Sequence, residues 1–134
     1  MWFNINPASS IPIYMQLINE VKAAVARGVL APGERMPTVR DLACSLGINP
    51  LTISKAYQKL EQEGVLMTMR SRGTFVAEKP TITDNMAKLA RVREMLERVL
   101  IEAYHAGVTP DEVKILLEES IQDLMLKGGN DQSE

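Results

Sequence analysis

Apolar residues recur at helical spacing near the start of the chain, and residues that begin or end helices flank each run. The first run predicts a helix over residues 10–28, with Ser10 as its N-cap, Pro12 in its first turn and Gly28 at its end. Its apolar residues fall three or four positions apart and form one stripe: Ile13, Leu17, Val21, Ala24 and Val25. The pattern predicts an amphipathic helix that packs on a core.

A second helix is predicted after a turn at residues 31–34. Thr38 opens it, with Asp41 in a capping-box position, and Gly47 ends it. Its predicted buried side is apolar: Val39, Leu42, Ala43 and Leu46. We expect Cys44 to join this side as a small core residue, and the alternative is a redox switch.

The third predicted helix begins with Asn49 as cap and Pro50 in the first position, and Gly64 closes it. Only residues 47–49 separate it from the second helix, which is typical of a helix-turn-helix that binds DNA. Its inner side is apolar: Ile53, Ala56, Tyr57 and Leu60. Its outer side and flanks are mostly polar: Leu51, Lys55, Gln58 and Gln62, with Thr52, Ser54 and Lys59 beside them.

The apolar period then changes to two, which predicts a β-hairpin. Val65, Met67 and Met69 alternate with Leu66, Thr68 and Arg70. A turn at residues 71–73 leads to a second strand at 74–76, and residues 35–36 predict a short strand earlier in the chain. A helix-turn-helix followed by such a hairpin has the order of a winged helix.

Two more helices are predicted after Lys79-Pro80, which is the best domain boundary. One runs over residues 83–106 and ends at Gly107, with a heptad-like seam: Leu89, Val92, Leu96, Val99 and Ala103. The other begins at Thr109-Pro110 and ends at Gly128-Gly129, with one apolar side: Val113, Leu116, Leu117, Ile121, Leu124 and Met125.

Two helices joined by so short a loop form an antiparallel hairpin that cannot bury both apolar sides by itself, and a second copy of the chain is the simplest partner. We expect the homodimer contacts to come from Leu89, Val92, Leu96, Val99, Ala103, Leu117, Ile121 and Leu124. The predicted fold is therefore mainly α with a small β wing. Residues 1–79 form a winged helix-turn-helix DNA-binding domain, and residues 80–134 form a two-helix dimerisation hairpin.

Charge is distributed unevenly between these parts. The net charge of −2 combines +3 in residues 1–79, from nine basic and six acidic residues, with −5 in the remainder. A basic half can bind phosphates while the acidic half turns away. Apolar residues make up 46% and no apolar run approaches the roughly 20 residues of a membrane span. The first residues lack a secretory leader pattern and Cys44 is the single cysteine, so we expect a cytoplasmic protein.

Four cations bracket the third helix: Arg40, Lys55, Arg70 and Arg72. Arg40 lies in the first turn of the second helix, where a cation opposes the helix dipole. This placement makes sense if the guanidinium meets a phosphate or a guanine, and the alternative is a salt bridge to Asp41 or Glu34. Arg70 and Arg72 flank the hairpin tip, where arginine is either a contact for DNA or an ordinary surface residue.

Three segments resemble the GntR family of bacterial transcription regulators: PGERMPTVRDLA, GINPLTISKAYQKLEQEG and RSRGTFV. The likeness covers residues 11–77, and the short two-helix remainder resembles the YtrA subfamily. It implies a dimeric repressor that binds an inverted-repeat operator. The family's DNA contacts correspond to Arg40, the start of the third helix and the wing tip: Asn49, Pro50, Leu51, Thr52, Ser54, Lys55, Arg72 and Gly73.

The chain departs from the family pattern at two places. Ser71 replaces a glycine that is common in the wing, which predicts a less extreme turn. Pro50, Leu51 and Ser54 stand where many members carry arginine early in the helix, and Leu51 is a candidate contact for a thymine methyl group.

The sequence shows no phosphate-binding glycine loop, nucleophile–base pair or carboxylate dyad, so we expect no enzymatic activity and no cofactor. His105 is the only histidine and has no cysteine nearby, so it indicates no metal site. Two other classes of function stay open. One is a protein-interaction module built on a winged-helix scaffold, and the other is a sensor whose C-terminal helices, near Tyr104 and His105, bind an unknown small-molecule effector.

Overall fold

The computed structural model describes residues 4–78 and 85–126, which belong to two compact units. The first unit contains α1 (Ile13–Arg27), α2 (Val39–Leu46), α3 (Pro50–Gln62), β1 (Leu66–Met69) and β2 (Gly73–Val76). The second contains α4 (Asn85–Ala106), α5 (Pro110–Ile121) and a π-helical turn, Gln122–Leu126. The predicted fold class, mainly helical with one small antiparallel hairpin, is confirmed. The predicted boundary at residues 79–80 lies outside the described residues.

Helix α1 begins later than predicted. Pro12 is its N-cap, with an extended ψ of 145°, and no side chain caps the helix, so the expectation for Ser10 was wrong. The residue before a proline is held away from helical geometry, which keeps the helix from reaching back to Ser10. Gln16 instead fastens the preceding segment, because its Nε2 donates to the carbonyl of Asn6 at 2.9 Å and its Oε1 accepts from the Asn6 N–H at 2.8 Å.

The predicted caps of the later helices are confirmed at Thr38, Asn49 and Thr109. Thr109 forms a full capping box, in which Glu112 Oε1 accepts from the Thr109 N–H at 3.0 Å. The backbone N–H of Thr109, and then its hydroxyl, lower the pKa of Glu112 below its usual range. At Thr38 only one half forms: its Oγ1 accepts from the Asp41 N–H at 3.0 Å, and the shorter aspartate makes no return bond within the described residues.

The core of the first unit lies where α1 and α2 pack against α3. Its most deeply buried side chains come from every helix and from the hairpin: Leu17, Val21, Leu42, Ile53, Leu60 and Val76. Fully burying an aliphatic side chain contributes about 1.5–3 kcal/mol, so this cluster fixes the position of α3. The predicted inner side of α3 is confirmed, and the buried Tyr57 hydroxyl donates to the Pro37 carbonyl at 2.7 Å. Burial raises the pKa of Tyr57 above its ordinary value.

The hairpin is fixed to the helices by a third extended segment. Strands β1 and β2 are antiparallel, and the buried Leu66 and Val76 lie opposite each other. The Met36 N–H donates to the Thr74 carbonyl, and the Val76 N–H donates to the Glu34 carbonyl, each at 2.8 Å. The short strand predicted at residues 35–36 is therefore a single bridge beside β2.

The second unit has no buried residue among positions 86–125. Helix α4 ends before Gly107, which has a left-handed φ of 79°, as predicted. The predicted starting residue of α4, Thr83, and the predicted end of α5 at residues 128–129 lie outside the described residues. No helix in the described ranges is both long enough and apolar enough to cross a membrane.

Candidate nucleic-acid interface

The first turn of α3 presents a mixed apolar and polar surface. Leu51 is 76% exposed, which is unusual for a large apolar side chain. Asn49 Oδ1 accepts from the Leu51 N–H at 2.9 Å, so the asparagine orients this turn through its cap. Pro50 occupies the first helical position and is exposed, whereas Thr52 and Ser54 are half-buried. Asn49, Pro50 and Leu51 are therefore the residues of this turn that are exposed to solvent.

Lys55 lies one turn after Leu51 and is exposed. Its Nζ lies 4.1 Å from the centroid of the Tyr14 ring, a cation–π distance. Tyr14 is in the first turn of α1 and packs against the core cluster. The sequence pattern did not indicate Tyr14, because its partner is far along the chain and no local signal pairs them.

Arg40 is exposed in the first turn of α2. Within residues 4–78 and 85–126 the single salt bridge joins Lys22 and Glu63, with Nζ to Oε1 at 2.5 Å. Glu34 Oε1 instead accepts from a backbone N–H, that of Ala31, at 3.1 Å. The alternative role predicted for Arg40, a salt bridge to a neighbouring acid, is therefore not adopted in the described part of the chain.

The hairpin tip carries Arg70 and Arg72, and both are exposed. Ser71 between them has a left-handed φ of 65°, and the Arg72 N–H donates to the Met69 carbonyl at 3.0 Å. The expectation of a less extreme turn was wrong. The chain keeps the conformation that a glycine favours, because the two-strand register fixes the ends of this short loop.

The Ser71→Gly variant is expected to be more stable than the wild type. A left-handed backbone costs an L-residue roughly 1–2 kcal/mol, and the added flexibility of glycine in the unfolded chain offsets about 0.5–1 kcal/mol of that gain. The net gain of about 0.5 kcal/mol should appear as a higher urea midpoint with an unchanged m-value. Ser71→Ala is the matched control and should show no gain. If Ser71→Gly and Ser71→Ala had the same urea midpoint, this would contradict the proposed backbone strain at Ser71.

Gly73 at the other end of the tip has a φ of 114°. A Cβ placed there would lie 3.3 Å from the Nε of Arg35, so the guanidinium of Arg35 lies against the hairpin backbone. The sequence pattern indicated Arg35 only as part of a short strand. The signal that identifies this contact is the bridge between Arg35 and Phe75, which needs the folded sheet.

A second candidate surface lies on α4 and α5. The seam residues of α4 remain exposed within one chain, with Leu89 at 65% and Val99 at 51%. Both helices line an apolar groove of about 410 Å³, and Leu96, Ala103 and Leu117 are among its lining residues. The remaining predicted dimer contacts are exposed or partly exposed: Val92, Ile121 and Leu124.

Two other expectations concern single residues. Cys44 is exposed, so its predicted place in the core was wrong; it lies about 200° around α2 from the buried Leu42. Tyr104 is also exposed. Its ring packs edge to face with that of His105, with the two ring centroids 5.3 Å apart. Across the described ranges no three His, Cys, Asp or Glu side chains gather into a possible metal site.

Comparison with known proteins identifies the family. The sequence profile of the bacterial regulatory proteins, gntR family, matches residues 13–76. The HTH-type transcriptional repressor YtrA of Bacillus subtilis (strain 168) is 39% identical over 93% of this chain and 95% of its own length. The chain belongs to the GntR family. It is a DNA-binding transcription regulator of that family, which is not a family of enzymes, and the predicted likeness to YtrA is confirmed.

Solved structures share this GntR fold. A transcriptional antiterminator from Listeria monocytogenes EGD-e is 37% identical, with a TM-score of 0.81 and 92% of each chain covered. The DNA-binding domain of AraR in complex with operator ORX1 is 32% identical, with a TM-score of 0.50 over 55% of this chain and 92% of its own. The GntR winged-helix unit therefore resembles a domain that has been seen on DNA.

Proposed function

We propose that this GntR-family chain is a cytoplasmic homodimeric repressor that binds an inverted-repeat operator. In this proposal residues 1–79 bind DNA and residues 80–134 join two chains. The observation that carries it is the surface around α3, whose first turn is exposed and against which both α2 and the hairpin pack. Each flanking element carries exposed arginine, and no arginine of residues 4–78 is in a salt bridge.

The proposed contacts divide into two kinds. The first turn of α3 enters the major groove, where Leu51 meets base edges and Pro50, Thr52 and Ser54 lie beside it. The cations around it bind phosphate: Arg40 from α2, Lys55 from α3, and Arg70 and Arg72 from the hairpin tip. Gly73 allows the tip to approach the DNA backbone, and Asn49 holds the start of α3.

Dimerisation is proposed from the second unit. Its apolar side chains form a continuous exposed seam, and a two-helix unit without a buried residue at positions 86–125 has no core of its own. A second copy of the same seam is the symmetric partner that covers it. Two copies also match the symmetry of an inverted repeat, because each winged helix then meets one half-site.

Gel-shift titrations with the DNA upstream of the chain's own gene test the proposal, with a shuffled fragment as control. We expect preference for the native fragment and a steep decrease of affinity with salt. About four phosphate-binding cations per chain and two chains predict a slope of roughly −7 in log K against log salt concentration. Equal affinity for the shuffled DNA, or a slope shallower than about −2, would refute operator binding.

A further inference from the structure

The contact between Tyr14 and Lys55 joins the first turn of α1 to the proposed DNA-binding helix. The Lys55 Nζ lies 4.1 Å from the ring centroid of Tyr14, and the two residues belong to helices that pack on each other. Tyr14 is half-buried and packs against the core, whereas Lys55 is exposed. The ring is therefore the member of the pair that the core holds in place, and the lysine is the exposed member.

This arrangement fixes a cation without neutralising it. A carboxylate partner would bring an opposite charge that competes with phosphate, but the described residues contain no salt bridge to Lys55. The face of an aromatic ring attracts the ammonium through its quadrupole and adds no net charge. The ammonium has three N–H donors, and those turned away from the ring stay available to a ligand. A lysine held in this way loses less rotamer freedom when it binds.

We propose that Tyr14 is a positioning residue for DNA binding: its ring holds the Lys55 ammonium beside α3, ready to contact a backbone phosphate. The proposal rests on the proposed function. Lys55 is assigned to phosphate because an ammonium acts as a point charge. In addition, its Nζ lies against the Tyr14 ring of α1 and does not extend from α3 beside Leu51. The proposal also assigns α1 an indirect part in DNA affinity, through Lys55.

The contact itself is tested first in the full chain without DNA. An aromatic ring shifts the resonances of protons above its face upfield, so the Lys55 side-chain methylene protons next to Nζ should resonate upfield of those of exposed lysines such as Lys59. Tyr14→Phe keeps the ring and should keep the shift, whereas Tyr14→Leu should abolish it. Wild-type Lys55 resonances at the ordinary lysine position would overturn the proposal.

The effect on DNA is tested by a double-mutant cycle with the native upstream fragment. Tyr14→Leu should weaken binding about two- to fivefold per chain, the affinity equivalent of an exposed cation–π contact, and so about 4- to 25-fold for a dimer that carries the change twice. Tyr14→Phe should restore most of this loss. Lys55→Gln should weaken binding and reduce the salt slope by about 0.9 per chain. In the Lys55→Gln background, Tyr14→Leu should cause no further loss, because its effect acts through the lysine.

Other results separate this role from a structural one. If Tyr14→Leu reduces DNA affinity equally in the wild-type and in the Lys55→Gln background, Tyr14 acts independently of Lys55 and has only a structural role. A loss on Tyr14→Phe as large as that on Tyr14→Leu would assign the effect to the hydroxyl. Either result overturns the positioning role while operator binding stands. If the wild type shows no preference for the native fragment, the proposed function fails instead, and the positioning role fails with it.

Discussion

Replacing Arg40 and Arg72 with alanine together is expected to weaken operator binding by about 1,000-fold or more. Each guanidinium that binds phosphate or a guanine edge contributes on the order of 1–3 kcal/mol, and a dimer loses each contact twice. Both side chains are exposed and make no salt bridge among the described residues. Their removal should therefore change the free energy of unfolding by no more than about 0.5 kcal/mol.

The measurement is a gel-shift titration with a thermal melt of the same samples. The matched control is the Arg91→Ala, Arg98→Ala variant, which removes two exposed arginines from α4 and changes the net charge equally. It should retain binding to within about twofold, since α4 lies outside the proposed interface. Native-like binding by the Arg40→Ala, Arg72→Ala variant would show that DNA approaches another surface. It would also favour the alternative of a protein-interaction module.

The sequence predicted those parts of the fold that depend on local chemistry. The caps at Thr38, Asn49 and Thr109 could be predicted because each acts on a backbone N–H within three residues. The inner side of α3 could be predicted because a straight helix of 13 residues keeps one apolar face, here centred on Ile53. In both cases, the residues that determine the feature lie within a single turn or a single helix.

Features that depend on contacts between distant segments escaped prediction. The strain at Ser71 follows from the register of β1 with β2, and the substitution of glycine by serine predicted the opposite. The contacts of Arg35 with the hairpin and of Tyr14 with Lys55 join segments that are far apart in sequence. Of the candidate site, the sequence therefore indicated which elements carry cations, but not what holds each cation in place.

The other wrong predictions concerned the start of one helix and a single position on another. The expectation for Ser10 followed cap preference and ignored the backbone restriction that Pro12 imposes. The expectation for Cys44 followed its neighbour Ala43, but one residue corresponds to about 100° of rotation, enough to leave a narrow apolar side. The buried stripe of a helix as short as α2 is narrow. A residue that does not follow the spacing of three or four positions, such as Cys44, therefore lies outside it.

Changing both Leu96 and Val99 to aspartate is expected to convert the dimer to monomers. Light scattering should report the chain mass of 14.9 kDa instead of twice that value. Both residues line the apolar groove between α4 and α5, and the proposed dimer would bury two carboxylates from each chain there. An unpaired charge in an apolar interface costs several kcal/mol, so four of them exceed what a small interface supplies. Operator affinity should fall by about 10²–10⁴-fold, because the two half-sites would then bind independent chains.

Arg91→Asp is the control for this change. It alters the net charge by the same two units on the same helix, but it lies about 140° around α4 from Leu96. It should remain dimeric and should bind the native fragment with nearly wild-type affinity. A Leu96→Asp, Val99→Asp variant that keeps the dimer mass would place the interface elsewhere on the chain. A variant that becomes monomeric yet keeps its operator affinity would instead separate dimerisation from DNA binding, because one winged helix with its surrounding cations would then suffice for the site.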